Sequence, residues 1–422
     1  MICGKLIKKN KHQAKTKDGD LLQKTDAQNI RVSVSGTGCI SALGLNINDS
    51  MNHMFAGQRN ATFTNRFLTN HPVKYPVFQV CDTFDSQVSL NHKDLTLTAQ
   101  LGIAAVYQAL EDAAIDPRDL KNRRVGVCMG TTVGCTLNND QFYMDYKQGK
   151  TPGMDPVKRF LNSNPSACIV KEFNLSGPAQ TVVNACASGT DAIGIGILWL
   201  QAGLCDLVIA GGTDELCKVT YNGFISLMIT DSDPCKPFDK KRNGLNLGEG
   251  AAALILEPVS QKTSMPSHHK CFAAGYGSAC DAYHLTAPKP DGQGLKKALR
   301  HAIAQSGLDS SDIGFINAHG TGTKDNDKVE DLVLSEILPG IPFFSTKGYT
   351  GHTLGAAGAI EAAFTIHSLM NEKIPASIGF SDRDDTLKSS PVAKTQNLSC
   401  TAAISQSVAF GGNNSALVFS RI

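Results

Sequence analysis

The chain has 422 residues, with 40 Lys and Arg against 38 Asp and Glu, a formal net charge of +2. That balance gives no case for a nucleic-acid partner or a charged membrane surface, and no apolar stretch of about 18 residues offers a transmembrane helix. The 13 cysteines include no C-x-x-C pair, which excludes a zinc ribbon or thioredoxin-type site and predicts free thiols in a reducing cytoplasm.

Residues 1–29 carry Lys5, Lys8, Lys9, Lys11, Lys15 and Lys17 before the first acidic residue, Asp18. Without an apolar secretory core or an arginine, they read as a flexible basic tail. Regular structure is expected from residue 30. A strand over 31–36 is followed by a helix over 95–114, where Leu97, Leu101, Ala104, Ala105, Leu110 and Ala113 recur near helical spacing. A strand over 124–130 runs into the small-residue loop Thr131, Thr132, Val133, Gly134. Strands follow at 206–212 and 251–257, separated by a polar, glycine-rich loop over 234–250. From residue 270 the alternation restarts: strand 271–279, helix 294–305, strand 313–317, helix 325–338, strand 342–345, helix 351–370, then strands 402–408 and 415–419. Alternating strands and helices predict α/β layers, and the shared order of elements hints at two related halves, 30–269 and 270–422.

Four segments can carry chemistry. The β-prone run before Cys186 stops at that residue, and a small-residue helical run follows, so the thiol stands at a strand-to-helix elbow. Unpaired N–H groups and the helix dipole there favour a thiolate. In isolation, a buried structural cysteine fits the segment equally well. A second strand ends in Asn317-Ala318-His319, then the loop Gly320-Thr321-Gly322-Thr323; strand ends are where ligand sites collect in α/β sheets. Lys347 and His352 precede a Gly/Ala-rich helix, which would place His352 at a helix N-terminus and favour its neutral form. Lys347 could pair with Glu361 across that turn, although an ordinary solvated lysine is the commoner state. Phe410-Gly411-Gly412 interrupts the last strand pair and can expose backbone amides.

Together, Asn184 through Gly189, Asn317 through Thr323, Lys347 through Gly358, and Phe410-Gly411-Gly412 resemble the elongating β-ketoacyl-acyl-carrier-protein synthases, the synthase II branch above all. The resemblance runs from about Val32 to Ile422. It implies a thiolase-like fold of two related halves in a five-layered α-β-α-β-α arrangement, normally dimeric. It implies Cys186 as the acyl-holding nucleophile and His319 with His352 as the pair that holds the malonyl thioester carbonyl. Lys347 and Glu361 would support them. The amides of Cys186 and Phe410 would form an oxyanion hole, and Phe410 would gate the thiol. Thr321 and Thr323 match positions that contact the phosphopantetheine arm. No bound cofactor is required, since substrates ride on the phosphopantetheine of an acyl carrier protein. The partner subunit would be a second copy or a chain-length-factor-like protein, and Lys147 and Lys150 are candidates for the basic patch that meets the acidic carrier.

The family pattern is departed from in places that bear on substrate. Gln406-Ser407-Val408-Ala409-Phe410 stands where fatty-acid enzymes usually have Asn-Ser-Phe-Gly-Phe. Lys324-Asp325-Asn326-Asp327 replaces Pro-x-Gly-Asp, and Gly348-Tyr349-Thr350 replaces Ser-Met-Thr. Val133 and Tyr221 fall near acyl-tunnel positions. These departures point toward ketosynthases of polyene or aromatic polyketide pathways. A thiolase is disfavoured because the C-terminal glycines lack a second cysteine. A non-catalytic, tunnel-shaping subunit is disfavoured because Cys186 is present.

Overall fold

The computed structural model describes residues 30–84, 92–132, 139–260 and 264–421; the basic tail and Val133 lie outside these. Among the described residues twelve strands are formed. The first half holds β1 (Ile30–Ser41), β2 (Val125–Gly130), β3 (Ala179–Val182), β4 (Leu207–Asp214) and β5 (Gly250–Ser260). The second holds β6 (Cys271–Cys280), β7 (Ile313–Asn317), β8 (Phe343–Phe344), the short pair β9 (Lys373–Ile374) and β10 (Gln396–Asn397), then β11 (Ala402–Ala409) and β12 (Asn413–Ser420).

Ten of these strands follow the order β3-β2-β4-β5-β1-β6-β12-β11-β7-β8. Read inward from each end, the halves are β3-β2-β4-β5-β1 and β8-β7-β11-β12-β6, which is the same topology twice. Strand directions agree as well. In each half the second strand is parallel to its two neighbours, and the remaining pairs are antiparallel. The halves meet through a short antiparallel contact, Ser33 with Phe272 and Val34 with Cys271.

Five layers follow from where apolar side chains go. Helix α1 (Leu97–Asp112) covers the outer face of the first half, packing Leu101 and Ala105 with Val127, Ile209 and Ile255. Helices α2 (Ser188–Gln201) and α5 (Ala357–Met370) are apolar or small-residued nearly all round, as a helix buried on all sides must be. They form the middle layer, where Ile193, Ile197, Ile360 and Phe364 join Leu254 of one half to Phe315 and Leu417 of the other. Helices α3 (Gln293–Ser306) and α4 (Lys324–Ile337) close the second half, with Leu295, Leu299 and Val333 against Ile316 and Val418. The middle helices approach closely because glycines face them. A Cβ on Gly358 would lie 2.0 Å from Thr190 Oγ1.

The expected long helix over 351–370 is not continuous. One helical turn, Lys347–Thr350, ends at Gly351 (φ 65°, ψ −175°), a conformation that glycine alone adopts easily. A 3-10 turn over Leu354–Ala356 follows, and α5 begins only at Ala357. Five further helices, Ile47–Phe55, Asp140–Lys147, Asp155–Leu161, Pro165–Glu172 and Lys218–Ser226, fill stretches given no element above. Among the described residues no helix is long and apolar enough to cross a membrane, and every described cysteine is free.

Candidate active site

The duplicated topology brings the loop ends of both halves to one cavity of about 250 Å³, lined by Cys186, His319, Thr321, Thr323, His352, Val408 and Phe410 among others. Cys186 Sγ and one ring nitrogen from each histidine all lie within 4.8 Å of one another. Cys186 and Phe410, 224 positions apart in the sequence, therefore share one site.

The elbow that holds Cys186 is tightly tied. Ala185 takes a left-handed conformation (φ 48°), unusual for a residue with a Cβ. Its carbonyl accepts hydrogen bonds from Thr132 Oγ1 at 3.1 Å and Ser188 Oγ at 2.6 Å. The Asn184 N–H donates to Ser188 Oγ at 2.8 Å, and the Asn184 side chain donates to Asp191. Helix α2 begins two residues after the thiol. The expected thiolate is not the resting form: burial pushes the Cys186 thiol up to about 11, while the Lys347 charge and the Phe410 N–H act in the opposite direction. Desolvation wins because the residue is only 5% exposed.

Both histidines are held as neutral imidazoles of defined tautomer. His319 Nδ1 sits 2.9 Å from Lys347 Nζ. A lysine ammonium can only donate, so Nδ1 accepts and the proton is on Nε2. His352 Nδ1 accepts the Leu354 N–H at 3.1 Å, which again places the proton on Nε2. The rings are 5.1 Å apart and nearly perpendicular. Burial first, then the Lys347 charge, holds both imidazoles well below the usual 6.5; for His319 the neighbouring His352 adds to this. The helical run that ends in α5 opens at Leu354, two residues after His352, and its first N–H is the one bonded to Nδ1. Strand-like backbone bonds fix His352 as well: its N–H donates to Asn246 O at 2.7 Å and its carbonyl accepts from Gly248 at 3.0 Å.

Lys347 is buried rather than solvated, at 1% exposure. Its ammonium donates to His319 Nδ1, to the His319 carbonyl at 2.7 Å, and to Glu361. Burial raises the Glu361 carboxyl to about 7 against the pull of Lys347. Phe410 stacks on Phe224 with centroids 5.6 Å apart, and its N–H points at the Cys186 sulfur. Gly411 (φ 81°) makes the turn that lets it do so. Thr321 and Thr323 line the cavity with hydroxyls 2.9 Å apart.

Tyr221 does not line this cavity. Its hydroxyl is bound to the Tyr75 backbone and its ring packs on Phe67, while Phe224 and Met228 from the same stretch reach the cavity. Lys147 and Lys150 are exposed on or just beyond the helix Asp140–Lys147, and Lys150 pairs with Asp145 at 2.8 Å. Lys324 is the lysine that lines the cavity.

Two buried carboxylates escaped sequence reasoning. Glu330 on α4 accepts the His319 N–H at 2.7 Å, the Gly320 N–H at 2.6 Å and the amides of Asn326 and Gln406. Asp214 at the end of β4 accepts from Thr131 Oγ1, Thr132 N–H and Gly355 N–H. One pins the histidine loop and the other pins the cysteine side of the site to the turn before α5.

A buried thiol facing two neutral imidazole donors, at the junction of a duplicated α/β fold, defines the thiol-dependent condensing enzymes of the thiolase-like class. Residues 29–262 match the beta-ketoacyl synthase N-terminal domain and residues 271–381 the beta-ketoacyl synthase C-terminal domain. The chain belongs to the β-ketoacyl synthase family. It is 32% identical over 410 residues to a 3-oxoacyl-[acyl-carrier-protein] synthase 2 of Synechocystis sp., covering 93% of this chain and 98% of that relative. The solved ishigamide ketosynthase/chain length factor superposes with a TM-score of 0.86 at 28% identity, covering 93% of this chain and all of that one. A ketosynthase of Xenorhabdus doucetiae, solved in complex with its chain length factor, gives 0.81 at 29% identity, covering 94% and 100%.

Proposed function

We propose that this chain condenses a malonyl group, carried on an acyl carrier protein, with an acyl chain held on Cys186. The observation that carries these residue roles is the pairing of Cys186 with two Nε2–H donors whose Nδ1 atoms are already bonded. In the first half-reaction the Cys186 sulfur attacks the carrier thioester. A new C–S bond forms, the carrier's C–S bond breaks, and the thiol proton leaves with the departing phosphopantetheine sulfur. Developing charge on the carbonyl oxygen is met by the amides of Cys186 and Phe410.

In the second half-reaction the malonyl carboxylate leaves as carbon dioxide and its bonding electrons pass to the thioester enolate. His319 and His352 donate Nε2–H bonds to that oxygen. Each such donor is worth about 3 kcal/mol in a dry site. The enolate carbon then attacks acyl-Cys186, and the cysteine regains a proton as it departs. Neutral donors suit this step, because an imidazolium would bind the malonyl carboxylate and oppose its loss. Lys347 locks the His319 tautomer, Glu361 balances the lysine charge, and Thr321 with Thr323 binds the phosphopantetheine arm.

The chain on Cys186 is of polyene or polyketide type. Val408 lines the cavity where fatty-acid enzymes usually have phenylalanine, leaving width beside the thiol for a stiff conjugated chain. Similarity to two ketosynthases solved with chain length factors supports the same reading. A tunnel-shaping subunit would not need this intact constellation. The test is intact-mass spectrometry after incubation with a panel of acyl-carrier substrates. Unsaturated chains should acylate Cys186 and be elongated, and Cys186→Ala should take up none. Efficient elongation of long saturated chains, with none of unsaturated ones, would refute the pathway assignment, and unchanged acylation of Cys186→Ala would refute the nucleophile.

A further inference from the structure

Away from the cavity, Glu257 near the end of β5 meets His268 and His269, which lie just before β6. One ligand atom from each lies within 4.8 Å of the others. These residues lie at the seam where the chain passes from one half to the other. Nothing in the condensation uses them.

Ser33 ties His269 to β5. Ser33 Oγ donates to the Glu257 carbonyl at 3.2 Å and sits 2.7 Å from His269 Nδ1. A hydroxyl has one proton to give. When that proton is directed at the carbonyl, Nδ1–H donates to Ser33 and the lone pair is on Nε2; when it is directed at Nδ1, the imidazole proton is on Nε2 and faces Glu257. Nε2 faces Glu257 Oε2 across 3.4 Å, longer than a charge-assisted hydrogen bond. In the first tautomer two acceptors face one another, and a cation between them relieves the repulsion. Ligands on a tetrahedral cation at about 2.0–2.1 Å stand about 3.4 Å apart, which matches this gap. Ser33 then plays the part of the outer partner that orients a metal-binding imidazole. The His268 ring packs edge-on against His269, centroids 4.3 Å apart, and is exposed, so it can turn to supply a third ligand. Arg123 holds the other oxygen, Oε1, at 2.9 Å. Its charge opposes a cation held mainly by carboxylates and leaves imidazole as the main donor.

We propose that Glu257, His268 and His269 form a site for one divalent transition cation of the zinc class, completed by water, which staples the turn before β6 to β1 and β5. The test uses the full, tag-free chain carrying Cys186→Ala, so that the active-site thiol does not compete. Calorimetric titration with Zn²⁺ should give one site of micromolar affinity, weakened by about ten-fold or more in His268→Ala and in Glu257→Gln. Co²⁺ in place of Zn²⁺ should give a visible absorption band that His268→Ala abolishes. His268 is exposed, so equal melting temperatures without metal will show that its loss leaves the fold intact. Absence of the Zn²⁺ site in the parent chain, or equal stoichiometry and affinity in His268→Ala, would overturn the proposal.

Discussion

At the scale of single residues the site depends on one buried cation. Lys347 neutralises Glu361 and holds the His319 tautomer with the same ammonium. Lys347→Met leaves a carboxylate buried without a counter-charge, so unfolding free energy should fall by about 3–5 kcal/mol in denaturant titrations. Adding Glu361→Leu should recover most of that loss, because removing both charges is close to neutral. It should not recover malonyl decarboxylation, since the His319 proton would no longer be confined to Nε2. Recovery of full decarboxylation in the double variant would show that Lys347 acts only through stability.

The histidines also set a pH dependence. Folded, both bind a proton more weakly than the ordinary 6.5. Unfolded, they take one up as the pH falls through that value. Their contribution to stability is therefore constant above 6.5 and is lost as the pH drops from there toward the folded values. Catalysis follows the folded values, so the donors stay neutral through pH 6.5. In Glu361→Gln, where the carboxyl at about 7 is gone, the rate of malonyl-carrier decarboxylation should show its acid limb well below 6.5; a midpoint at 6.5 or above in that variant would contradict the desolvated histidines.

At the scale of elements, the helix over 351–370 shows what sequence periodicity can and cannot reveal. The Gly/Ala-rich run correctly signals a close-packed helix, and α5 is one. The break at Gly351 depends on backbone angles and on bonds from His352 to Asn246, over 100 residues away, which no local pattern encodes. Cys186, His319, Lys347 and His352 were legible because each stands at a strand end or glycine turn. Glu330 was not, since an acidic residue in Lys324–Ile337 reads as solvent-facing until the fold turns it inward. Asp214 meets Gly355 across 141 positions and carries no local signal.

Packing between α2 and α5 makes a second test. Gly358→Ala would bring a methyl group 2.0 Å from Thr190 Oγ1 and 2.8 Å from Thr190 N. The backbone atom cannot turn aside, so the helices must separate and stability should fall by about 1–3 kcal/mol. Gly223, within the helix Lys218–Ser226, has open space around its Cβ position. Gly223→Ala should stabilise by about 0.5–1 kcal/mol through helix propensity alone. Denaturant midpoints for the two variants should move in opposite directions; a matched shift would mean that propensity, not the helix contact, governs both.

At the scale of the whole molecule, β3 is an open sheet edge. It is an end strand of the ten, paired on one side only, with Ala179 and Gln180 exposed and Val183 beyond it 66% exposed. Earlier in the same half, the helices Asp140–Lys147 and Asp155–Leu161 bury no residue, yet they carry Tyr143, Met144, Tyr146 and Leu161, all at least 48% exposed. An open strand edge that leads into an exposed valine is a template for pairing, and exposed aromatic and apolar side chains elsewhere in the same half are suited to a second surface. A second subunit of the same fold would satisfy it through antiparallel β3 edges around a two-fold axis. The purified chain should therefore sediment as a two-subunit particle, alone or with a co-expressed chain-length-factor-like partner. Val183→Glu places a charge at that seam and should shift it to single chains at micromolar concentration. A wild-type chain that remains single under both conditions, with full condensing activity, would show that β3 is a finished edge.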